Sequence, residues 1–362
     1  MKYFILISVC ILAFIIISFL LRKFSKKKSP QLKIERSCEN PILSPGNRTW
    51  TTQGTFNPAA VKADNGDIHL LYRAMGDDGI SRLGHAWSTD GVNFNEDVPY
   101  PVFTLLNPRA NAVPADHQTY DIQKNPSGGG WSGSEDPRMV EIDGRIYVTF
   151  NAFDGWDFVR VAVISINEKD FYAQKFNWSD PILLSPKGQV HKNWVFFPEK
   201  INGKFAILHS ISPEVQIDYV NNLDDIKNGK QVINSKFGQK TARPTWDTYV
   251  RGAGPSPLRT KKGWLVLYHA VDKKYPNQYR LGAMLLDLKN PTKVIARSPE
   301  PLLVPEMWYE NDWKPGVVYA CGAVIKGKDL LIYYGGGDRH VCVAKTDVHD
   351  LLEWIIRPKK NK

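Results

Sequence analysis

Residues 130–139 read GWSGSEDPRM and place two adjacent carboxylates, Glu135 and Asp136, directly before a proline and an arginine. Proline has no backbone N–H and disfavours helical backbone at the residue before it, so the sequence predicts an extended segment. Neighbouring side chains of an extended segment point in roughly opposite directions, so one carboxylate can face a cavity while the other cannot. The alternative is a turn in which Asp136 pairs with Arg138.

The cysteines do not indicate a metal or a disulfide framework. Cys10 lies in an apolar N-terminal segment, and Cys38, Cys321 and Cys342 remain as an odd set without metal-ligand spacing. The cysteines therefore indicate no zinc site, and we further predict that the protein uses no metal and no cofactor.

The elements that position Glu135 and Asp136 are indicated by an internal repeat. A tight glycine turn followed by a strand-like apolar run occurs five times, at similar spacing, with little helical periodicity between the copies. Recurring units of three or four strands are typical of a β-propeller. We predict an all-β fold, a five-bladed β-propeller over residues 38–357; a β-sandwich, the alternative, fits five regular copies poorly. The turn glycines are Gly66, Gly144, Gly203, Gly263 and Gly327.

A propeller brings the ends of its inner strands to one central site, so polar residues at corresponding places of the repeats should meet there. The alternative for each residue alone is an ordinary polar group at the end of a strand. Together they predict a polar pocket at the axis, formed by Arg73, Asn151, His209, His269 and Tyr334.

Composition excludes one class of partner. The net charge is +10, but residues 1–36 hold eight Lys and Arg against Glu35 alone, so the remainder is nearly neutral. No basic stripe with interleaved aromatics occurs there, and we set nucleic acid aside. Eleven Trp, fifteen Tyr and sixteen Phe suit a β-rich core and also suit sugar binding.

The N-terminus predicts a membrane anchor. Tyr3 to Leu21 is a stretch of nineteen residues without a charge, long enough as a helix to cross a bilayer. A cleaved signal peptide is the alternative. The basic residues that follow favour a cytosolic location for the body of the protein by the positive-inside tendency. The predicted organisation is a single-pass transmembrane anchor, a basic juxtamembrane linker, the propeller and a basic tail, at residues 1–21, 22–37, 38–357 and 358–362.

Nine motifs occur in an order that resembles glycoside hydrolase family 130. They are FNPAA, YRA, SRLG, GSEDPRM, HKNWVFFPEKINGK, RGAGPSP, GWLVLYHA, YRLGAMLLDLKNP and YYGGGD, and they cover roughly residues 38–350. The resemblance implies a five-bladed propeller that cleaves β-mannosides by inversion, in most members with phosphate and in some with water.

The resemblance also implies roles for individual residues. The aspartate of EDPR is the catalytic acid, here Asp136, whose pKa a buried channel should raise, while Arg138 and Glu135 pair outward and hold the turn. Inorganic phosphate is the co-substrate, to be bound by a basic set: Arg82, Arg160, Lys192 and His269. The expected substrate-binding residues are Asn57, Arg73, Asn151, Asp154, His209, Tyr334 and Asp338.

The chain departs from the family pattern at one position of the phosphate site. Phosphorylases of the family commonly read LHR, and this chain reads LHS, with Ser210 in the place of a cation. The loop ADHQTYDIQKNPSGGG and the insert FDGWDFVR depart as well, and they would shape the acceptor side of the pocket.

Three functions remain open at this point. The first is a membrane-anchored inverting phosphorylase that acts on a β-mannoside oligosaccharide or glycan and forms, or uses, mannose 1-phosphate. The second is an inverting hydrolase of the same fold, with Asp154 or Asp338 as the base that activates water. The third is a non-catalytic propeller that binds glycans at a membrane.

Overall fold

The described part of the chain is built almost wholly of β-strands. The chain divides into two units, Met1–Lys33 and Ile34–Lys362, and every element named below belongs to the second. The structure is a computed structural model, and it describes residues 32–105, 130–155, 158–235 and 242–357.

The strands form five groups along the chain. The first group is β2 (Gly54–Lys62), β3 (Ile68–Met75) and β4 (Ile80–Ser88). The second is β5 (Ser132–Ile142), β6 (Arg145–Asp154), β7 (Val159–Asn167) and β8 (Ile182–Leu183). The third is β9 (Val195–Phe196), β10 (Phe205–Ser210) and β11 (Gln216–Val220). The fourth is β12 (Tyr249–Ala253), β13 (Leu258–Thr260), β14 (Gly263–Asp272), β15 (Tyr275–Leu286) and β16 (Val294–Arg297). The fifth is β17 (Val318–Lys326), β18 (Asp329–Gly336) and β19 (His340–Asp347), to which β1 (Glu35–Arg36) adds an edge strand.

The described helices are short and lie between the strand groups or after the last one. They are α1 (Glu168–Tyr172), α2 (Leu223–Lys227), α3 (Val348–Ile356) and a 3-10 helix, η1 (Trp308–Glu310).

Each predicted glycine turn joins two antiparallel strands that pair with each other. All five glycines have a positive φ, for example 75° at Gly144 and 64° at Gly327. A residue with a Cβ rarely adopts such backbone, so the glycines determine where the chain reverses.

Four apolar clusters hold the groups together, and each cluster joins two groups. The first group packs against the second, the second against the third, and the third against the fourth. The fifth group packs against the first, and one buried cluster contains Tyr333 and Val343 of the fifth group with Leu70 and Tyr72 of the first. The strand groups therefore follow one another in space as they do in sequence, and β2, β5 and β17 lie in contact.

The strand pairing corrects the predicted fold class in one respect. The five groups form four sheets, because β4 and β5 pair in parallel through Ile80 with Ser132 and Ser81 with Gly133. This pairing joins the first two groups into one seven-stranded sheet, and no sheet of the described residues closes on itself. The predicted all-β class is confirmed. The predicted five separate blades do not match the observed hydrogen bonding between strands.

The predicted membrane helix requires a second correction. Within the described ranges, none of the helices combines the length and the apolar character that crossing a membrane requires. We therefore remove the transmembrane helix from the fold class and the membrane from the predicted localisation. The predicted anchor, residues 1–21, and the predicted tail, residues 358–362, lie outside the described residues.

Candidate active site

Bulged strands bring the polar residues of different groups together. The first strands of the first, second, fourth and fifth groups, β2, β5, β12 and β17, each carry a bulge. A bulge leaves a residue out of the ladder and re-aims its side chain. The residues inside these bulges are Asn57 with Pro58, Asp136 with Pro137, Arg251, and Cys321.

Asp136 lies inside the bulge of β5, and its backbone is not extended. Its φ is +49°, in the left-handed region, and Asn57 has a φ of +48° in the bulge of β2. The two side chains meet: Asn57 donates from Nδ2 to Asp136 Oδ1 at 2.7 Å. Asp136 Oδ2 has no hydrogen-bond partner among the described residues, so one carboxylate oxygen is held and the other is available to a ligand.

Arg73 joins both carboxylates of the EDPR segment. Its guanidinium donates to Asp136 Oδ1 and to Glu135 Oε1, each at 3.1 Å, and it is 1% exposed. Lys192 pairs with the other Glu135 oxygen, Oε2, at 2.8 Å. Glu135 therefore points inward, and the prediction that it pairs outward with Arg138 is wrong, because the bulge turns both carboxylates to the same side. We call Asn57, Arg73, Glu135, Asp136 and Lys192 the carboxylate cluster.

Arg138 is also buried and bonds to neither carboxylate. It donates to the backbone oxygens of Asp136 and Gly254, and to Asn193 Oδ1 at 2.7 Å. Tyr319 donates to the same Asn193 oxygen at 2.9 Å. The alternative of a surface turn with an Asp136–Arg138 pair is therefore excluded, and Arg138 instead connects three strand groups.

The charges around Asp136 reverse the expected shift of its pKa. Burial alone would raise this pKa, but Arg73, Arg138 and Lys192, together with the hydrogen bond from Asn57, outweigh burial and lower it to about 2. Asp136 is therefore ionised at neutral pH when the site is empty. An acid role requires that substrate binding raise this pKa.

A cavity of about 190 Å³ adjoins the carboxylate cluster at Lys192. None of its lining residues is acidic, so its electrostatic potential favours an anion. Its polar side chains come from the third and fourth groups and the segments beside them. We call it the basic cavity; it is lined by Val190, His191, Lys192, Asn193, Trp194, Leu208, His209, Ser210, Ile211, Ser212, Ser235, Val250, Arg251, Gly252 and Ala253.

Two residues of the predicted phosphate-binding set are engaged elsewhere. Arg82 makes a two-point ion pair with the exposed Asp78. Arg160 donates to the backbone oxygen of Ser185. Neither arginine has a described contact with the carboxylate cluster. Of the predicted set, only Lys192 lines the basic cavity.

His269 is fully buried and stacks on Tyr319, with 3.9 Å between the ring centroids. Burial, and then the charge of Arg138, lower its pKa to about 3, so the imidazole is neutral at pH 7. At this pH His269 carries no positive charge, whereas the resemblance implies a cation at this position.

The predicted substrate-binding residues divide between the site and the rest of the protein. Asn151 accepts from the backbone N–H of Asn193, and His209 lines the basic cavity while pairing with Asp218 at 3.0 Å. Asp338 pairs with Lys314 at 2.8 Å, which raises the pKa of that lysine, and it contributes to the charge around Arg73. Asp154 ends β6 opposite Ser132.

Tyr334 does not face the axial site. Its hydroxyl donates to Glu310 at 2.8 Å, and Glu310 also pairs with Arg36 of β1 at 2.7 Å. Tyr334 therefore helps to fasten the edge strand β1, and we remove it from the predicted pocket.

Sequence reasoning missed four residues that the structure places at the site. Asn193 and Arg251 lie within motifs that carried the family resemblance, HKNW and RGAGPSP, yet nothing in their spacing marked them as site residues. Asn193 has a φ of +65°, a property visible only in the folded backbone. The missed residues are Arg138, Asn193, Arg251 and Tyr319.

Among the described residues no group of three or more His, Cys, Asp or Glu side chains is placed to hold a metal ion. Of the loop at residues 115–130, only Gly130 belongs to the described residues. Trp156 and Asp157 of the insert also lie outside them.

Comparison with known proteins identifies the family. The model of glycoside hydrolase family 130, described as beta-1,4-mannooligosaccharide phosphorylase, matches residues 25–357. A 1,2-beta-oligomannan phosphorylase of Thermoanaerobacter sp. (strain X514) is 35% identical over 332 residues, which cover 88% of this chain and 99% of that protein. A beta-1,4-mannooligosaccharide phosphorylase of Ruminococcus albus is 27% identical over 333 residues, 89% of this chain and 90% of that protein.

A solved structure agrees with the fold. The beta-1,2-mannobiose phosphorylase from Listeria innocua, in complex with β-1,2-mannobiose, has a TM-score of 0.66 and 23% identity, and covers 90% of this chain and 99% of its own. The chain belongs to glycoside hydrolase family 130, and the predicted family is confirmed.

Proposed function

We propose that this chain is an inverting phosphorylase of β-mannosides. It transfers a mannosyl group from a β-mannoside to inorganic phosphate, or from mannose 1-phosphate to a sugar acceptor in the reverse direction. Phosphorolysis of β-mannosides as the reaction class is confirmed by the family and by the two relatives compared above. Inversion is a proposal that rests on the resemblance to the family. The roles of single residues are proposals that rest on that resemblance together with the geometry of the site.

The reaction breaks one bond and forms another at the anomeric carbon. A phosphate oxygen attacks that carbon from the face opposite the glycosidic oxygen, the carbon–oxygen glycosidic bond breaks, and the leaving oxygen takes a proton. A β-mannoside therefore gives α-mannose 1-phosphate. Asp136 supplies the proton, directly or through a substrate hydroxyl, from the oxygen that the cluster leaves without a partner.

The single observation that carries the proposal is the position of Lys192 between the two parts of the site. Its ammonium group pairs with Glu135 in the carboxylate cluster, lowers the pKa of Asp136, and lines the basic cavity. Phosphate bound in the cavity adds negative charge close to Lys192 and offsets that effect. Binding of phosphate therefore raises the pKa of Asp136 toward the range in which a carboxylic acid can donate a proton.

We propose β-1,2-linked mannosides as the first substrates. The 1,2-beta-oligomannan phosphorylase is 35% identical to this chain, and the beta-1,4-mannooligosaccharide phosphorylase is 27% identical. The similarity is therefore greater to a protein named for the 1,2 linkage.

The experiment incubates the full chain with β-1,2-mannobiose or β-1,4-mannobiose, each with and without inorganic phosphate. We expect α-mannose 1-phosphate, identified by phosphorus and proton NMR, only when phosphate is present. Free mannose formed equally well without phosphate would establish the hydrolase instead. Binding of either disaccharide without turnover would establish the non-catalytic glycan-binding protein.

A further inference from the structure

We propose that Arg251 provides the cation that binds phosphate in the basic cavity, in place of the cation that Ser210 does not supply. This inference rests on the proposed function and assigns its phosphate site. Arg251 was absent from the predicted set, and the arginines of that set, Arg82 and Arg160, are bonded elsewhere in the described structure.

The backbone places Arg251 where the other groups place their site residues. Arg251 is the residue inside the bulge of β12, between Val250 and Gly252, and Asp136 and Asn57 occupy the bulges of β5 and β2. Asn193 donates from Nδ2 to the backbone oxygen of Arg251 at 3.1 Å, which fixes the bulge against the third group. Gly252 has a φ of +131°, and an added Cβ would lie 2.8 Å from Asn193 Nδ2, so the close approach requires glycine.

The guanidinium of Arg251 lies close to the aromatic residues that border the site. Its central carbon is 6.0 Å from the ring centroid of Tyr279, and that ring is 6.0 Å from the ring of Tyr319. Tyr319 donates to Asn193, which lines the basic cavity together with Arg251. Arg251 therefore lies at the border between the cavity and the residues that surround Asp136.

In the described part of the chain, Arg251 lacks the carboxylate partner that the cations of the carboxylate cluster have. Among the described residues no carboxylate pairs with its guanidinium, and no lining residue of the cavity is acidic. Lys192, the other cation of the cavity, is already paired with Glu135. A planar guanidinium binds phosphate through two parallel hydrogen bonds, and an unpaired one keeps both donors available.

Ser210 leaves space for such an ion. Its hydroxyl donates to the backbone oxygens of Ser212 and Glu214, at 3.1 and 3.3 Å, and so turns toward its own loop. The cavity measures about 190 Å³. One water occupies roughly 30 Å³ in the liquid, so an ion of five heavy atoms fits.

The test replaces Arg251 by glutamine and measures initial rates with phosphate and β-mannoside varied separately. We expect R251Q to raise KM for phosphate about 10- to 100-fold, as loss of a charge-assisted hydrogen bond predicts, and to change KM for the mannoside less than about 3-fold. R251K should recover part of the phosphate affinity. The matched control is R259Q on β13, because Arg259 is exposed and pairs with Glu199 outside the cavity; its kinetics should equal those of the unmodified chain.

Two further measurements make the result decisive. Calorimetric titration of the unmodified chain and R251Q with inorganic phosphate should show the same loss of affinity without depending on turnover. Adding S210R to R251Q should lower KM for phosphate again, since the new guanidinium enters the same cavity. Circular dichroism and thermal melting establish that each variant is folded.

The outcome that overturns the inference is a folded R251Q with unchanged phosphate KM and unchanged phosphate affinity. An equal rise of KM for both substrates would overturn it as well, because it would assign Arg251 to the mannoside. Both results presuppose phosphorolysis by the unmodified chain, and absence of that activity would reject the proposed function instead.

Discussion

The carboxylate cluster and the basic cavity share Lys192, but they differ in how their charges are compensated. In the cluster, Glu135 has a cation at each of its oxygens, and Asp136 has Arg73 and Asn57 at one oxygen. In the cavity, Arg251 has no described carboxylate partner. A compensated network holds one geometry, whereas an uncompensated cation has capacity left for a ligand. Under the proposed function, the cluster would position the proton donor and the cavity would receive the anion.

The largest effect is expected at Asp136. We expect D136N to leave the fold intact and to lower kcat about 100-fold or more, because an amide cannot donate the proton. D143N is the matched control: Asp143 also has a positive φ, +50°, but is exposed and pairs with Lys200 in a turn. Near-normal turnover of an unactivated mannoside by D136N would remove Asp136 from the acid role.

The next effect concerns stability and tests whether the cluster is a fixed network. Glu135 is fully buried between Arg73 and Lys192, so E135Q leaves a buried arginine short of its counter-charge. We expect the free energy of unfolding to fall by about 3 kcal/mol, measured by urea denaturation. E199Q, at an exposed pair with Arg259, should change it by less than about 0.5 kcal/mol. Equal changes of the free energy of unfolding in the two variants would contradict the conclusion that the cluster is a fixed, compensated network.

Acid should destabilise the protein through His269 rather than through Asp136. Burial lowers the pKa of His269 to about 3, and the unfolded chain takes up that proton near pH 6.5, so stability falls as pH drops below about 6.5. For this one histidine we expect a loss of about 2 kcal/mol at pH 5. The lowered pKa of Asp136 instead gives stability that persists above pH 4 and is lost only between about 4 and 2.

Urea denaturation at pH 7 and pH 5 measures this loss. D136N should show the same difference between the two pH values as the unmodified chain, because Asp136 stays ionised over that range. H269Q should show a smaller difference, since it removes the titrating ring. The prediction would be wrong if Asp136 contributed more than His269 to the loss of stability between pH 7 and pH 5.

The smallest effect is expected from S210R in the unmodified chain. A second guanidinium in the basic cavity should lower KM for phosphate by about 3-fold or less, because Arg251 already occupies the role. A phosphorylase should benefit from this change and a hydrolase should not. Steady-state kinetics with phosphate varied measures it, and R259Q, at an exposed pair outside the cavity, serves as the control.

Much of the site was predictable from the sequence because it depends on local motifs. The glycine turns determined where the strands reverse, and the motifs that contain Asn57, Arg73, Asp136 and Lys192 identified side chains that do meet. The sequence could not show the hydrogen-bond partners of Arg82, Arg160 and Tyr334, because no motif reveals them: Asp78, the Ser185 carbonyl and Glu310.

The sequence by itself determined the all-β class, the five turns and the family, since glycine conformation and apolar alternation act over a few residues. The tertiary structure alone decided the direction of Glu135, the ionisation of Asp136 and the place of Arg251. The direction of a side chain at a bulge depends on the register between two strands. The pKa of the buried Asp136 depends on the charges of Arg73 and Lys192, which come from other parts of the chain, as well as on Arg138 of its own strand. These are distances between residues far apart in the chain, and they exist only once the groups have packed together.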